Sequence, residues 1–417
     1  MKHSTTKTYT MKREILRYAE KIYREEERPE RKFGAEMAYG ILASGSCLLT
    51  DISNELQEKT KKINTVDRLS RHLSEGSTEG PWKQYLQIIQ SMVPKEAVIL
   101  VDDSDVVKPE GYHFEALGTV RDGSESTEKK NVYKKGYHVT EAVVLTHSKQ
   151  PVSIYSRIHS SEEKGYQSVN AITMEAIERG AGMFGHATFI MDRGYDDNKM
   201  FQKLNDMKQD YVIRLTSKRN LYYHGKWTPA TQLRDRRKGK IRLQLRYHDH
   251  EHIAYLSHVK VQITASKKPV WLVLVYGITE HPMMLATNKS IRSKQDAIHI
   301  AKLYFSRWRI EEYFRCKKNA FRFEEFRVRK LKAINALNFS ITICMTFLAY
   351  IASLSINSSL RQSIMEAADP IKNQVCFLGY RFAAGIARIL DYAHSGVRDW
   401  FKPLRLRCVQ LSFNLTC

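Results

Sequence analysis

The chain is short of acids, of cysteines and of glycine-rich motifs, and each shortage narrows what it can be. Over 417 residues it carries 45 Asp and Glu against 67 Lys and Arg, an excess of +22 with histidine neutral. Clustered Lys and Arg attract phosphate and release its counterions, so the excess suggests a polyanionic partner, with a basic surface kept for solubility as the plain alternative. The six cysteines (Cys47, Cys316, Cys344, Cys376, Cys408 and Cys417) are never closer than nine residues, so there is no C-x-x-C unit and no zinc-ribbon spacing. A disulfide framework is not expected, and a reducing cytosol fits better. There is no Walker A pattern and no G-x-G-x-x-G, hence no glycine-rich phosphate loop. Long apolar runs are scarce too. The one at 340–356 contains several Ser and Thr and falls at the short end of what a bilayer needs, so it is expected to be a buried core helix. The N-terminal stretch passes directly into charged helical sequence without an apolar leader core, and a soluble, cytoplasmic protein is expected. The chain does have apolar residues in quantity, 42%, with 10% aromatic, which excludes global disorder.

Five stretches differ in periodicity. Residues 1–92 are helical, with apolar residues such as Ile15, Ala19 and Ile22 at helical spacing. Within them, two short helices around a basic turn at 59–62 suggest a DNA-binding helix-turn-helix, or else an ordinary helical hairpin; Thr50 or Asp51 is the expected cap of the first helix and Thr65 of the second. Residues 93–215 read as strand, hairpin (turning near Ser148 and Lys149), helix and strand, the order of a mixed α/β sheet. Residues 216–288 have mostly period two and read as an antiparallel β insertion. It carries the basic run Arg234, Arg236, Arg237, Lys238, Lys240, Arg242 and Arg246 against the single acid Asp235, expected to track a nucleic-acid backbone. Residues 289–355 and 356–417 are helical again, and the apolar spacing around Phe382 to Trp400 could serve a dimer contact or more core.

Three acids stand out by position. Asp102 follows the apolar run AVILV, among Asp103 and Asp105, and Asp192 ends ATFIM before Arg193-Gly194-Tyr195. Acids at the ends of apolar strands gather along one sheet edge, although Asp also favours turns for its own sake. The third acid lies in LYFSRWRIEEYFRCKK, where Tyr304, Arg307, Glu311 and Lys318 stand at offsets 0, 3, 7 and 14. At about 100° per residue all four share one narrow helical face, flanked by apolar Leu303, Phe305, Ile310 and Phe314. Enclosed charges need partners, and phosphate or a metal ion is a natural one. His248, His250 and His252 alternate in HDHEH but lack further recognisable ligands, which favours a surface strand over a metal site. Arg121-Asp122-Gly123-Ser124 and Lys134-Lys135-Gly136-Tyr137 are further candidates for DNA contact, or a polar turn.

The spacing Tyr304-x2-Arg307-x3-Glu311-x6-Lys318 resembles the Y-R-E-K signature of bacterial insertion-sequence transposases with a DDE site. Val101-Asp102-x-Ser104 is similar to that family's first acidic motif and Phe189 to Tyr195 to its second, with gaps of 90 and 119 residues between the acids. The resemblance spans roughly residues 40–350. It implies an RNase H-like mixed sheet with flanking helices, interrupted by the β insertion. It implies that Asp102, Asp192 and Glu311 are catalytic and bind two Mg²⁺ ions, with Mn²⁺ able to substitute. Arg307, Lys318 and Tyr304 would hold DNA phosphates. The pattern Asp-x-Ser favours Asp102 over Asp103 as the first acid, a choice that strand alternation leaves open if both sit where the strand ends. Met283 stands where relatives commonly carry a base-stacking Trp, with Trp227 and Trp271 as substitutes. The implied activity is cut-and-paste transposition in a bacterial nucleoid, on transposon ends and target DNA, by a homodimer assembled on DNA. A nuclease that cuts without joining and a non-catalytic DNA-binding repressor are the alternatives.

Overall fold

The computed structural model of the protein describes residues 2–123, 125–126, 130–247, 250–263, 268–370 and 377–401. Cys376, Cys408, Cys417, His248 and Ser124 lie outside them. Five helices open the chain: α1 (Lys2–Ile22), α2 (Arg28–Ser44), α3 (Leu49–Leu56), α4 (Lys62–Glu75) and α5 (Glu79–Gln90). Next come β1 (Ala97–Val107), β2 (Gly118–Arg121), β3 (Tyr133–Leu145), β4 (Pro151–His159), α6 (Val169–Phe184), β5 (Ala187–Met191), α7 (Asn198–Asp206) and β6 (Asp210–Arg214). The insertion holds β7 (Asn220–Tyr223), β8 (Lys226–Pro229), α8 (Ala230–Asp235), β9 (Ile241–Tyr247), β10 (His250–Ile263), β11 (Lys268–Tyr276) and β12 (Met283–Thr287). The chain then runs through α9 (Lys294–Phe305), α10 (Trp308–Ala320), α11 (Leu331–Ser353), α12 (Ser359–Ala367) and α13 (Gly379–Leu390).

The core strands lie in the order β4-β3-β1-β5-β6. β1, β3 and β4 are antiparallel neighbours, and β5 and β6 run parallel to β1. This is the RNase H-like arrangement expected of the sequence. β5 is buried at every residue, which is why ATFIM reads as a continuous apolar run and not as an alternating one. Each parallel connection needs a crossover. The one into β5 uses α6, started by the Ser168 hydroxyl accepting from the Ala171 amide, and the one into β6 uses α7, capped by Asp197.

The insertion does not form a sheet of its own. β12 pairs antiparallel with β6, then β11 with β12 and β10 with β11, so one twelve-stranded mixed sheet runs from the core to the end of the insertion. The period-two reading passed over α8, a helix of six residues inside it.

On the other side, the helical ends of the chain share one layer. α11 packs against β4 and also against α2, α4 and α13, while α13 packs on α1 and α2. Thr8 donates its hydroxyl to the Ile389 carbonyl at 2.9 Å, which ties the first helix to the last. Helix α11 is long and apolar enough to cross a membrane, but its apolar residues are buried inside the protein. The apolar stripe of α13 is likewise spent within the chain: Phe382, Ile386 and Leu390 are buried, so it does not offer the dimer surface that its spacing allowed.

Two capping expectations fail here. α3 starts at Leu49, placing Thr50 and Asp51 inside its first turn, and α4 starts at Lys62 with Thr65 buried within it. The Thr65 hydroxyl is drawn instead to Glu58 at 2.7 Å, part of a network in which Arg68 grips the fully buried Glu36 at 2.6 and 3.1 Å. Helices α3 and α4 do form a hairpin, with Lys59, Lys61 and Lys62 exposed at its turn.

One buried ion pair fastens the third acid's helix to the sheet. The Lys317 ammonium, on α10, meets the Glu141 carboxylate of β3 at 3.0 Å, and both are removed from solvent. Ser156 donates to the same carboxylate at 2.8 Å and is itself bonded by Asn338 of α11 at 2.8 Å. Removing one member of such a pair strands the other's charge. We expect Lys317→Met to cost about 3–5 kcal/mol in urea unfolding, and the double variant Glu141→Leu/Lys317→Met to recover most of that loss.

Candidate active site

Strand register brings the first two acids together. The last residue pair between β1 and β5 is Val101 with Met191, so Asp102 and Asp192 are the next residues along two adjacent strands, just where their pairing stops. Strands that part in this way open a crevice at their carboxyl ends. On the other side of β5, Met191 pairs with Ile213, which sets Arg214 at the same level.

β1 itself does not end at Val101. It continues to Val107 against β3, so Asp102 lies in mid-strand and alternation does separate it from Asp103. Asp102 accepts from the Arg307 guanidinium at 2.9 Å. Asp103 faces the opposite way, where it accepts from Tyr195 at 2.8 Å and from Thr140. The Tyr195 bond pins the 3₁₀ turn Arg193–Tyr195, which begins at Asp192. Asp103 thus anchors the second acid's turn from below, and Asp102 looks into the crevice.

The signature segment is not one straight helix. The Ser293 hydroxyl and the Asp296 carboxylate form a capping box that starts α9, which stops at Phe305; Ser306 and Arg307 form a turn, and α10 begins at Trp308. The amide of Arg307 bonds back to the Tyr304 carbonyl at 2.9 Å, three residues away, which tightens the chain there. The expected single face is therefore broken, yet three of its four residues still converge. Tyr304 donates to Asp192 at 3.2 Å, and Arg307 reaches both Asp102 and Glu311. Lys318 turns away and pairs with Glu324 at 2.9 Å.

The crevice is short of positive charge. Burial pushes the Asp102 carboxyl up to about 7, Arg307 opposes that rise, and Asp192 and Asp103 add to it. Burial and the nearby Asp192 also push the Tyr304 phenol up, with Arg307 and Arg214 pulling the other way. Arg307 is held firmly charged by Asp102 and Glu311 in spite of its burial. Among the described residues, no three His, Cys, Asp or Glu side chains stand close enough to share a metal ion. The physical reason here is that Asp102 and Glu311 share a guanidinium instead. The donor chemistry nevertheless fits a hard divalent cation: the three carboxylates supply oxygen only, and two arginines, Arg307 and Arg214, do not neutralise all three.

Two residues at this site escaped the sequence reading. Arg214 ends β6 as Asp192 follows β5, and comparing strand ends would have flagged it. Tyr247, at the end of β9, packs its ring edge-on against Phe305 with centroids 5.1 Å apart. Burial and then Glu311 raise its phenol, so the end of β9 overhangs the crevice; only tertiary packing reveals this.

Other candidates lie elsewhere. Met283 is buried in β12 with 3% of its surface exposed, so it does not present a wedge to DNA. Trp227 is half exposed on β8 at the far end of the sheet, and Trp271 is partly buried beside His258. Arg236, Arg237, Lys238 and Lys240 line a cleft of about 830 Å³ in the insertion, with Lys294 and His258, and among the described residues no acid lines it. Arg237 is held there by the His258 carbonyl at 3.3 Å and the Tyr223 hydroxyl at 3.4 Å.

The family model described as a transposase DDE domain matches residues 94–347, more than half of the chain, and the protein belongs to that family. The match begins just before β1 and ends within α11, so it contains all three acids and the whole insertion. Compared directly with curated proteins, the chain finds no match.

The raised Asp102 carboxyl has a consequence for stability. Its folded value of about 7 lies above the ordinary 3.8, so the folded protein binds the extra proton between these values. That contribution is complete below about pH 4 and is lost as pH rises through 7. Without divalent cation, Asp102→Asn should lose less Tm than the wild type between pH 5 and pH 8. Equal losses in thermal unfolding would show that Asp102 is not the group responsible.

Proposed function

We propose that this DDE transposase serves an insertion sequence of the Y-R-E-K type, binding the element's terminal repeats and joining their cleaved ends to target DNA. One observation carries the reading: Arg307 and Tyr304, from a single short segment, make direct bonds to acids from two other motifs and to Glu311. A chain that kept only a DNA-binding role would have no use for this convergence of charge.

Asp102, Asp192 and Glu311 would hold Mg²⁺, two ions in the full arrangement. Bound there, the metal would supply an activated oxygen nucleophile and a stabilised leaving oxygen in phosphoryl transfer. The chain's own groups do the rest. Arg307 trades its carboxylate partners for a phosphate, to which its fork offers two parallel bonds. Tyr304 keeps Asp192 oriented by its hydroxyl, and Arg214 at the same level adds positive charge on the far side. The buried apolar residues around the segment, Phe305 and Ile310 among them, keep water from competing for the reacting phosphate. The basic cleft of the insertion would hold the backbone of the transposon end, with the exposed lysines between α3 and α4 as a second contact. With Met283 buried, another side chain would have to receive any displaced base.

Asp192→Asn and Glu311→Gln should each lower cleavage of terminal-repeat DNA at least about 100-fold while end binding by gel shift persists. Full cleavage by either purified variant would overturn the assignment. Lys238→Ala/Lys240→Ala should weaken end binding and flatten the plot of log affinity against log salt by about 2 units, one for each phosphate left without its lysine. An unchanged slope would remove the cleft from the end-binding surface.

A further inference from the structure

Joining two DNA molecules at one set of acids requires that both be held, and the basic cleft accounts for only one of them. In the order β2-β3-β1-β5-β6-β12-β11-β10-β7-β8, the cleft belongs to the β10 end, and the acids stand on β1 and just after β5. The opposite end is the β2–β3 ribbon. We propose that this ribbon, with the segment that follows α10, is the seat of the target duplex. The inference rests on the transposase reading above.

Register shows that the ribbon faces the right way. Asp102 lies opposite Glu141 on β3, and cross-strand partners share a face. Counting along β3 in twos from Glu141 leads to Lys135 and Tyr133, which pair with Thr119 and Arg121 of β2. All four are therefore on the face of the sheet that carries Asp102. Lys135 is six residues from Glu141, about 20 Å along the strand, so a duplex laid on the ribbon passes beside the crevice. The neighbouring Lys134, of opposite parity, is spent on Asp122 at 3.0 Å and on Glu125. Arg121 and Lys135 are exposed, and Tyr133 keeps 63% of its surface in solvent.

The surface extends across to the other segment. Tyr137 of β3 donates its hydroxyl to the Glu115 carbonyl, and the Glu115 amide bonds the Arg329 carbonyl at 3.0 Å. The Glu115 carboxylate accepts from the Leu331 amide at 2.7 Å, a second tie across the same junction. Between Phe323 and Leu331 buried apolar residues anchor the chain, so Arg327, Arg329 and Lys330 are left exposed. The loop from β1 to β2 adds Tyr112, 85% exposed.

The character of the surface selects between the two DNA molecules. The insertion's cleft is a concavity lined by Arg236, Arg237, Lys238 and Lys240 from one short run, suited to a defined end. The ribbon and its neighbour form an open face of cations and phenols, which contact phosphate and carry no base readout. That suits a duplex whose sequence is not fixed.

The test uses the full chain, Mg²⁺, the terminal repeats flanking its coding region and a plasmid target. Arg121→Ala/Lys135→Ala and Arg329→Ala/Lys330→Ala are each compared with the wild type for end cleavage and for strand transfer from precleaved ends. The expected result is strand transfer down about tenfold in each double variant, with cleavage within about twofold of the wild type. Strand transfer at the wild-type level in both variants would overturn the proposal. So would a parallel fall in cleavage, which would assign the surface to the end or to the fold. A wild-type protein that neither cleaves nor joins would instead defeat the transposase reading itself.

Discussion

Three carboxylates in one crevice have to be reconciled with each other, and in this protein Arg307 does it. Its guanidinium spans Asp102 and Glu311, groups 209 residues apart in the chain. Much of the local structure can be read as support for that bridge. The turn at Ser306 and Arg307 lets α9 deliver Tyr304 to Asp192 and α10 deliver Glu311 to the arginine. Asp103, working from the opposite face through Tyr195, holds the turn that begins at Asp192. Arginine remains charged when buried and offers a rigid fork, so lysine in its place would bridge less well. The same side chain is suited to bind phosphate, and under the function proposed above a bound phosphate would release the acids from it.

The sheet supplies the fixed frame. Because β12 pairs with β6, the insertion continues the core's hydrogen-bond ladder, and the basic cleft keeps a set position relative to the acids. The Glu141–Lys317 pair does the equivalent for α10. A buried ion pair is seldom a large net source of stability, but it admits few alternative registers, and here it fixes where Glu311 stands over the strands.

Much of this was legible before any coordinates. Apolar runs of the right length located β1, β5 and β6, and the order of strands and helices led to the correct core. Local patterning singled out Asp102, Asp192 and Glu311, although β1 runs on past Asp102 and the helical face of Glu311 is broken. What failed was set by tertiary packing. The helix break at Ser306 has no proline or glycine to announce it, and Lys317, not Lys318, proved to be the buried lysine because Glu141 waits opposite. Thr65 is a good helix cap by type, but Glu58 claims its hydroxyl. Met283 occupies a position suited to touching DNA by motif, and its side chain is buried. Even the charge needed its setting: in the rich basic stretch from Ala301 to Lys332, Arg307, Arg315, Lys317, Lys318 and Arg322 are all engaged by carboxylates. Beyond Phe326 the pattern changes, and Arg327, Arg329 and Lys330 turn their charges to solvent.

The contact between α1 and α13 bears on the birth of the molecule. Thr8 and Ile389 are 381 residues apart, so the first helix leaves the ribosome long before the surface that covers it has been made. At about 5–20 residues per second the interval is roughly 20–75 s. Through that time the apolar side of α1, with Met11, Ile15 and Ile22 on it, has only neighbouring helices to shield it. Closure of the helical layer is therefore a late event of synthesis, and a nascent chain halted before α13 would leave the same face open.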